Sequence, residues 1–274
     1  KLSRVGKLKI IDLSSMMAVD VLKEETSANH QFESIINSTK IDPIPISTQA
    51  DNLINALNDT PLSMQPLRKT LYSHGFNESF DFVTNHDIGF MEVTVRYFLD
   101  LMSSPNSPLN TIMLERTAAT YLNIYIVNQL FITNNDVIEL GWLEREFCST
   151  DRTKFDGIIF KIGNKSIAPG FVEFSGGIND KTSPLKYTKD NEKLYSNMIK
   201  AMVDIKTDKM FCMRCYGHHI YFEKLVDVNG VMYRTIDVNM EIPTTPRKLI
   251  AYINEIPKIL AWKQALINHA ISLN

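Results

Sequence analysis

Two acidic residues lie within consecutive apolar, strand-like runs of the sequence. Asp156 falls near the start of FDGIIF (residues 155–160), and Glu173 lies inside FVEF (residues 171–174). Two carboxylates on neighbouring strands repel each other unless a cation lies between them. Mg²⁺ is typically held by one or two carboxylates with waters and substrate phosphate oxygens, and it can neutralise charge on a phosphate under attack. The pair therefore predicts a Mg²⁺ site, with Mn²⁺ as the alternative ion; the other interpretation is an ordinary turn Asp and an edge-strand Glu.

The elements that must position this pair follow from apolar periodicity and turn signals. Asn110 is the expected N-cap of a long apolar helix that runs to about Phe131. Beyond it the sequence predicts three strands, a helix, a strand, a hairpin and a final helix in which Pro257 is a candidate break. The corresponding segments are 137–148, 155–162, 170–175, 183–206, 210–216, 219–238 and 244 onward.

The first hundred residues have a different texture. Residues 52–57 and 90–102 predict helices, the second of which ends where Pro105 prevents its continuation. Residues 1–50 show weak periodicity and predict short helices or extended arms that wrap on the rest of the chain.

The order helix, three strands, helix, strand, with Asp156 opening the second strand and Glu173 in the third, resembles the PD-(D/E)xK (restriction-endonuclease-like) nuclease superfamily. The resemblance spans roughly residues 110–216 and has no counterpart in the first hundred. It implies a mixed α/β fold in which a helical N-terminal region (1–108) packs on an αβββαβ core (109–274). An added β-hairpin and a C-terminal helix complete that core.

The resemblance also implies roles for particular residues. Asp156 and Glu173 would bind the metal, and Glu115, the only acidic residue of the first core helix, would be a third carboxylate. Glu115 followed by Ala118 and Ala119 would project from a face of small residues that approaches the sheet closely. The alternative is that Glu115 only interacts favourably with the N-terminal helix dipole.

The sequence departs from the family pattern at one position. Where the family has Lys two residues after the acid, this chain has Ser175, whose neutral hydroxyl cannot stabilise negative charge in the transition state. Some members of the superfamily supply the lysine from the following helix. That helix offers Lys186, Lys189 and Lys193 here, and Lys193 is the favoured candidate.

Two functions follow from these residues. The first is a Mg²⁺-dependent nuclease or nuclease-derived domain that acts on the phosphodiesters of DNA or RNA. The second is a catalytically inert binding or scaffold module, part of a larger protein assembly, that keeps the fold without the chemistry. Ser175 and the formal net charge of −2 favour the second function. A lysine ammonium within reach of Asp156 and Glu173 separates the two.

Composition limits the partners and the compartment. The net charge provides no global positive field, so phosphate binding must come from a local patch, for which residues 181–209 and the C-terminal helix are the more basic segments. Three cysteines are too few for a disulfide framework, and no apolar run reaches the length of a membrane span. The first ten residues lack the features of a signal peptide. The sequence therefore predicts an intracellular protein, of the cytoplasm or nucleus, without membrane association.

A zinc site is the competing interpretation of one cluster. Cys212 and Cys215, followed by His218 and His219, contain suitable ligand types. Residues three apart on a strand point to opposite faces, so we expect buried, reduced cysteines instead. Gly176-Gly177 allows two interpretations, a turn that needs positive φ or a close approach of the backbone to a phosphate.

Overall fold

The computed structural model describes residues 8–26, 31–74 and 80–273 and is a mixed α/β protein. The basic residues that begin the chain, within 1–7, lie outside the described ranges. The strands are β1 (Ile10–Asp12), β2 (Ile138–Glu146), β3 (Lys154–Lys161), β4 (Gly170–Phe174), β5 (Lys209–Tyr216), β6 (His219–Val228) and β7 (Val231–Glu241).

These strands form one seven-stranded mixed sheet in the order β1-β7-β6-β5-β4-β3-β2. Strand β4 is parallel to β5 and β1 is parallel to β7, whereas the other neighbours are antiparallel. Every residue of β4 is buried. A strand covered on both faces has an apolar run without alternation, which is what FVEF shows apart from its glutamate.

Helices cover both faces of this sheet. They are α1 (Met16–Thr26), α2 (Gln31–Thr39), α3 (Thr48–Asn58), α4 (Met64–Ser73), α5 (His86–Ser103), α6 (Glu115–Ala118), α7 (Ile124–Phe131), α8 (Pro184–Asp204) and α9 (Pro246–Ser272). Helices α3 to α7 and α9 share one hydrophobic cluster with one face of the sheet, whereas α8 packs on the other face. None of the helices in the described ranges combines the length and apolar character needed to cross a membrane.

Most predicted elements are confirmed within two residues or so. The helix expected over 183–206 is α8, whose N-cap Ser183 accepts a hydrogen bond from the backbone N–H of Leu185. The arms expected in residues 1–50 include α1, α2 and the short strand β1. Apolar side chains from residues before and after position 108 share one hydrophobic cluster. The division of the chain into two regions at 108/109 stays a prediction.

Two predictions about helix boundaries were wrong. Asn110 ends a 3-10 turn and does not cap a helix; α6 begins only at Glu115. The reason is that the N–H of Met113 donates to the carbonyl of Ile178 at 2.9 Å, which holds this stretch in an extended bridge. A π-helical turn, 119–123, then links α6 to α7. The expected break at Pro257 is absent, and α9 is continuous because the residues around it are packed in the core.

Candidate active site

Asp156 and Glu173 face each other across strands β3 and β4. The register pairs Gly157 with Val172 and Ile158 with Phe171, so the next step outward sets Asp156 opposite Glu173. Residues directly opposite in an antiparallel pair share one face, with Cβ atoms about 5 Å apart. The two carboxyl groups therefore lie on neighbouring strands, as the sequence predicted, and on the same face of the sheet.

Asp156 is partly buried and fixed by the neighbouring strand. Its Oδ2 accepts a hydrogen bond of 2.7 Å from the backbone N–H of Phe174. Burial raises the pKa of Asp156, and the nearby carboxylates of Glu115 and Glu144 raise it further. The Phe174 N–H and the Lys193 ammonium oppose this shift but do not cancel it.

Glu173 is buried and has one oxygen without a hydrogen-bond partner. Its Oε1 accepts from Lys193 Nζ at 2.8 Å, whereas Oε2 has no partner among the described residues. Burial and the charge of Asp156 raise the pKa of Glu173 to about 8, against the opposing effect of Lys193. A buried acceptor left unpaired beside a second carboxylate is a place where a proton or a cation is stabilised.

Helix α8 supplies the positive charge at this site. Lys186, Asp190 and Lys193 follow one another at helical spacing and therefore share one face of α8. Lys193 bonds Glu173 and also lies 5.6 Å from the centre of the Phe155 ring. The Lys193 ammonium thus lies within reach of the carboxylate pair, which is the geometry that separates the two functions predicted from the sequence.

Glu115 also lies at the site, at the start of α6. Its carboxylate forms an ion pair with Lys186 of α8, and its charge contributes to the raised pKa of Asp156. The backbone bridge between Met113 and Ile178 holds the segment that carries it. Glu115 therefore does more than interact with the helix dipole, although α6 does begin at this residue.

Gly177 explains how this segment comes so close to the sheet. A Cβ atom at this position would lie 1.8 Å from the carbonyl oxygen of Met113, so only glycine fits. Gly176 has a φ of 149° and an added Cβ would collide with Thr182. The two glycines thus permit a turn and a close approach between two backbone segments. The atom that lies closest to Gly177 is the Met113 carbonyl oxygen of this chain rather than a phosphate.

Sequence reasoning missed a bulge in β2. Trp142 pairs with Gly157 and Arg145 pairs with Phe155, so Leu143 and Glu144 together lie opposite Asp156. Both have positive φ, 60° and 55°, which is unusual for residues other than glycine. Bulges often re-aim side chains beside active sites. The signal that could have found it is Gly141, an isolated glycine inside the strand pattern directly before the bulge.

Asp190 was also missed as a member of the site. Burial raises its pKa, Lys186 and Lys193 lower it, and it contributes to the raised pKa of Glu173. The signal that could have found it is its spacing on α8, one turn from each of these two lysines.

A buried ionic network lies beside the site. Arg214 of β5 is the register partner of Glu173, and its Nε donates to Glu223 at 2.8 Å. Its Nη1 also donates to Tyr187 and Asn191 of α8, at 2.6 and 2.8 Å. Arg214 thus connects the sheet to the helix that carries the lysines.

Cys212 and Cys215 were expected to be buried and reduced, on opposite faces of a strand; both are buried and free, and their placement on opposite faces is confirmed. Cys212 belongs to the cluster under α8, whereas Cys215 belongs to the cluster on the opposite face. Burial raises the pKa of both thiols. Side chains on opposite faces of a sheet cannot bind one zinc ion.

Asp156 and Glu173 are the residues of this site that could hold a metal ion. No group of three or more His, Cys, Asp and Glu side chains in the described ranges is arranged to hold an ion. A site that offers two carboxylates, one with a buried free oxygen, suits Mg²⁺, which keeps several waters and takes further oxygen atoms from a phosphate substrate. Asp156 and Glu173 would hold such an ion.

Comparisons with protein-family models, with curated proteins and with solved structures found no match.

Proposed function

We propose that this chain is a Mg²⁺-dependent nuclease, or a nuclease-derived domain, that acts on nucleic-acid phosphodiesters. The observation that carries the proposal is the contact of 2.8 Å between Lys193 Nζ and Glu173 Oε1. It brings an ammonium to a carboxylate pair on adjacent strands although Ser175 stands at the usual position of the lysine. A restriction-endonuclease-like core, with α6–α7, β2–β4, α8 and β5 in that order, belongs to the same proposal.

The chemistry of the site follows from the charge of its residues. Mg²⁺, when bound, would neutralise charge on the phosphate under attack. Asp156 and Glu173 would bind the ion and so lose the mutual repulsion that favours their protonated forms. Lys193, no longer the sole cation at Glu173, would be free to turn its ammonium toward a phosphate oxygen and stabilise negative charge that develops there.

A specific observation also supports the inert scaffold. Lys193 pairs with Glu173, and Lys186 pairs with Glu115, so the site balances part of its own charge. Such a cluster can persist as a structural ion-pair network without catalysis. The acidic net charge of −2 is consistent with that function.

The test is cleavage of labelled single- and double-stranded DNA and RNA in Mg²⁺ or Mn²⁺. Asp156→Ala and Glu173→Ala should abolish cleavage because each removes a metal ligand, while circular dichroism should show a folded protein. Lys193→Ala should slow cleavage by roughly 100-fold or more. Lys200→Ala is the matched control: it lies further along α8, where it pairs with Asp151 at 2.8 Å, and should change little.

Two results would contradict the proposal. Intact substrates with both ions would favour the inert scaffold. Equal losses from Lys193→Ala and Lys200→Ala, with a salt dependence to match, would mean that α8 only binds phosphates.

A further inference from the structure

Three side-chain oxygen atoms at the candidate site are buried and have no hydrogen-bond partner among the described residues. They are Glu173 Oε2, Ser175 Oγ and Asp190 Oδ2. Burying a polar atom without a partner is unfavourable, and most buried polar side-chain atoms in proteins are paired with protein or with ordered water. Three such atoms at one site therefore indicate a polar group that they share.

Strand β4 places two of these atoms on the same side of the sheet. Side chains two residues apart on a strand share a face, and the strand pairing reaches Ser175, whose N–H donates to the carbonyl of Cys215 at 2.9 Å. The face is the one that α8 covers, because Lys193 bonds Glu173 and Phe171 packs in the cluster under α8. Glu173 and Ser175 are only 4% and 1% exposed. Both side chains are therefore enclosed between β4 and α8.

Helix α8 brings Asp190 to the same place. Asp190 lies one turn before Lys193, whose ammonium bonds Glu173. The charge of Asp190 raises the pKa of Glu173, and the hydroxyl of Ser175 lowers the pKa of Asp190, so the three groups are neighbours. Ser175 Oγ and Asp190 Oδ2 nevertheless lack a partner in hydrogen-bonding geometry. A third group between them would satisfy both.

The three oxygen atoms are shielded, but the residues above them are open to solvent. The side chain of Lys193 is 37% exposed and Asp190 is half-buried, whereas Glu173 and Ser175 are enclosed. A substrate phosphate can therefore approach from the exposed side of this group.

A water molecule fits these atoms better than a second metal ion. Glu173 Oε2 is the oxygen that a bound Mg²⁺ would take, which leaves Ser175 Oγ and Asp190 Oδ2. One hydroxyl and one carboxylate beside Lys186 and Lys193 make a poor cation site. No group of three or more His, Cys, Asp and Glu side chains in the part of the chain that the structure describes could hold an ion. A buried water needs roughly two to four polar partners, and here the hydroxyl donates while the carboxylate accepts.

We propose that Ser175 and Asp190 hold the attacking water of the nuclease reaction and that Asp190 is its general base. This inference rests on the proposed function and adds two residues to the same site. The Ser175 hydroxyl donates to the water, and the water donates to Asp190 Oδ2, which leaves a lone pair of the water for the phosphorus. Ser175 then takes part in the chemistry at the position where the family has lysine.

The step needs only the water and the phosphodiester. The water oxygen forms a bond to phosphorus while one of its protons passes to Asp190 Oδ2. The bond from phosphorus to the leaving sugar oxygen breaks, this oxygen takes a proton from the solvent, and Asp190 then gives its own proton back to the solvent. Burial raises the pKa of Asp190 and so makes it a stronger base than an exposed aspartate, whereas Lys186 and Lys193 favour its ionised form.

The experiment measures kcat and KM for labelled DNA and RNA oligonucleotides, and the Kd for Mn²⁺ by calorimetry, on the full chain. Asp190→Asn keeps the size of the side chain but cannot take a proton, and Ser175→Ala removes the hydroxyl. Asp204→Asn is the matched control. Asp204 is exposed on the same helix, roughly 21 Å further along its axis, and accepts a hydrogen bond from Ser149. Circular dichroism checks that each variant is folded.

A general base predicts a loss in kcat alone. We expect Asp190→Asn to lower kcat by about 100-fold or more and Ser175→Ala by about tenfold, with KM and the Kd for Mn²⁺ within about threefold of wild type. Asp204→Asn should behave as wild type. Formate should restore part of the activity of Asp190→Ala, where it can occupy the space of the lost carboxylate, but not of Asp190→Asn, where the amide fills that space. A purely structural role for Asp190 would not be rescued in this way.

The outcomes separate this inference from the proposed function. Equal kcat for Asp190→Asn and Asp204→Asn, or no rescue of Asp190→Ala by formate, would overturn the inference and leave the nuclease standing. A Kd for Mn²⁺ that Asp190→Asn weakens as strongly as Asp156→Ala does would make Asp190 a metal ligand and overturn its role as base. Wild-type protein that cleaves none of the substrates would overturn both.

Discussion

Glu173 is an acid whose surroundings favour its protonated form at neutral pH. Its carboxyl is buried next to Asp156, and one oxygen has no hydrogen-bond partner in the part of the chain that the structure describes. The pKa of about 8 lies above the ordinary value of 4.5. Between these two values the folded protein keeps a proton on Glu173 that the unfolded chain has lost.

This shift predicts how stability depends on pH. Because the folded pKa is raised, the contribution of Glu173 is most favourable below pH 4.5 and is lost progressively as pH rises through about 8. Glu173→Gln cannot ionise, so its free energy of unfolding should approach that of wild type at pH 5 and exceed it at pH 9, by on the order of a few kcal/mol. Urea unfolding of both proteins at several pH values, without divalent ions, measures this.

Glu146→Gln is the control, since Glu146 is exposed on the same sheet. It should shift the unfolding curve by the same small amount at every pH. If the wild-type and Glu173→Gln curves stay parallel from pH 5 to 9, then Lys193 keeps Glu173 ionised throughout that range.

At the scale of elements, the site depends on how closely the segment before α6 approaches the end of β4. The backbone N–H of Met113 donates to the carbonyl of Ile178. The Met113 carbonyl lies so close to Gly177 that no side chain fits at that position. This contact brings Glu115 to Lys186 of α8. This one backbone contact between Met113 and Ile178 thus holds together the segment before α6, strand β4 and helix α8.

Gly177→Ala should therefore damage both stability and the site. The added methyl would meet the Met113 carbonyl, a backbone atom that cannot move without breaking the bridge, so we expect a loss of about 3 kcal/mol or more. Gly89→Ala is the contrast: Gly89 lies within α5 and an added Cβ would make an ordinary contact of 3.7 Å with Phe80. It should stabilise the protein by about 0.5–1 kcal/mol. Thermal unfolding distinguishes the two variants. Equal stability of both would show that the close contact between Gly177 and the Met113 carbonyl does not stabilise the fold.

At the scale of the whole molecule, a buried ionic network ties the sheet together. Glu223 of β6 accepts hydrogen bonds from Arg214 of β5 and from Arg234 of β7, each at 2.8 Å, and from the hydroxyl of Tyr195 on α8 at 2.6 Å. Arg234 also pairs with Asp12 of β1. Burial would raise the pKa of Glu223, but the two arginines outweigh it and hold the pKa below its usual value.

Removing the charge of Glu223 should destabilise the whole fold. Glu223→Gln would leave the buried guanidinium of Arg214 without a carboxylate and that of Arg234 with only Asp12, and breaking a buried pair in this way costs about 3–5 kcal/mol. Glu139→Gln breaks only an exposed pair with Lys165 and should cost about 1 kcal/mol or less. Chemical unfolding at pH 7 measures both. Because the pKa of Glu223 is lowered, its contribution is present above pH 4.5 and is lost as pH falls.

If Glu223→Gln costs no more than Glu139→Gln, the arginines find other acceptors or water, and the network does not hold the fold.

The sequence determined the elements and the chemistry-bearing pair. Apolar runs and turn signals predicted strands β2 to β7 and helix α8 because these signals are local, and strand alternation separated Cys212 from Cys215. Asp156 and Glu173 could be paired from the sequence because a short connection, residues 162–169, joins the antiparallel strands β3 and β4 and limits their register. Local signals failed before α6, where a long-range bridge overrode the N-cap preference of Asn110.

Only the tertiary structure decided which charges meet. The contacts of Lys193 with Glu173 and of Lys186 with Glu115 depend on how α8 packs across the sheet, and no spacing in the sequence fixes that. The bulge at Leu143, the need for glycine at 177 and the pairing of β1 with β7 likewise arise from atoms far apart in the chain. The physical reason is that hydrogen-bond register and close packing are long-range, whereas propensity and periodicity are local.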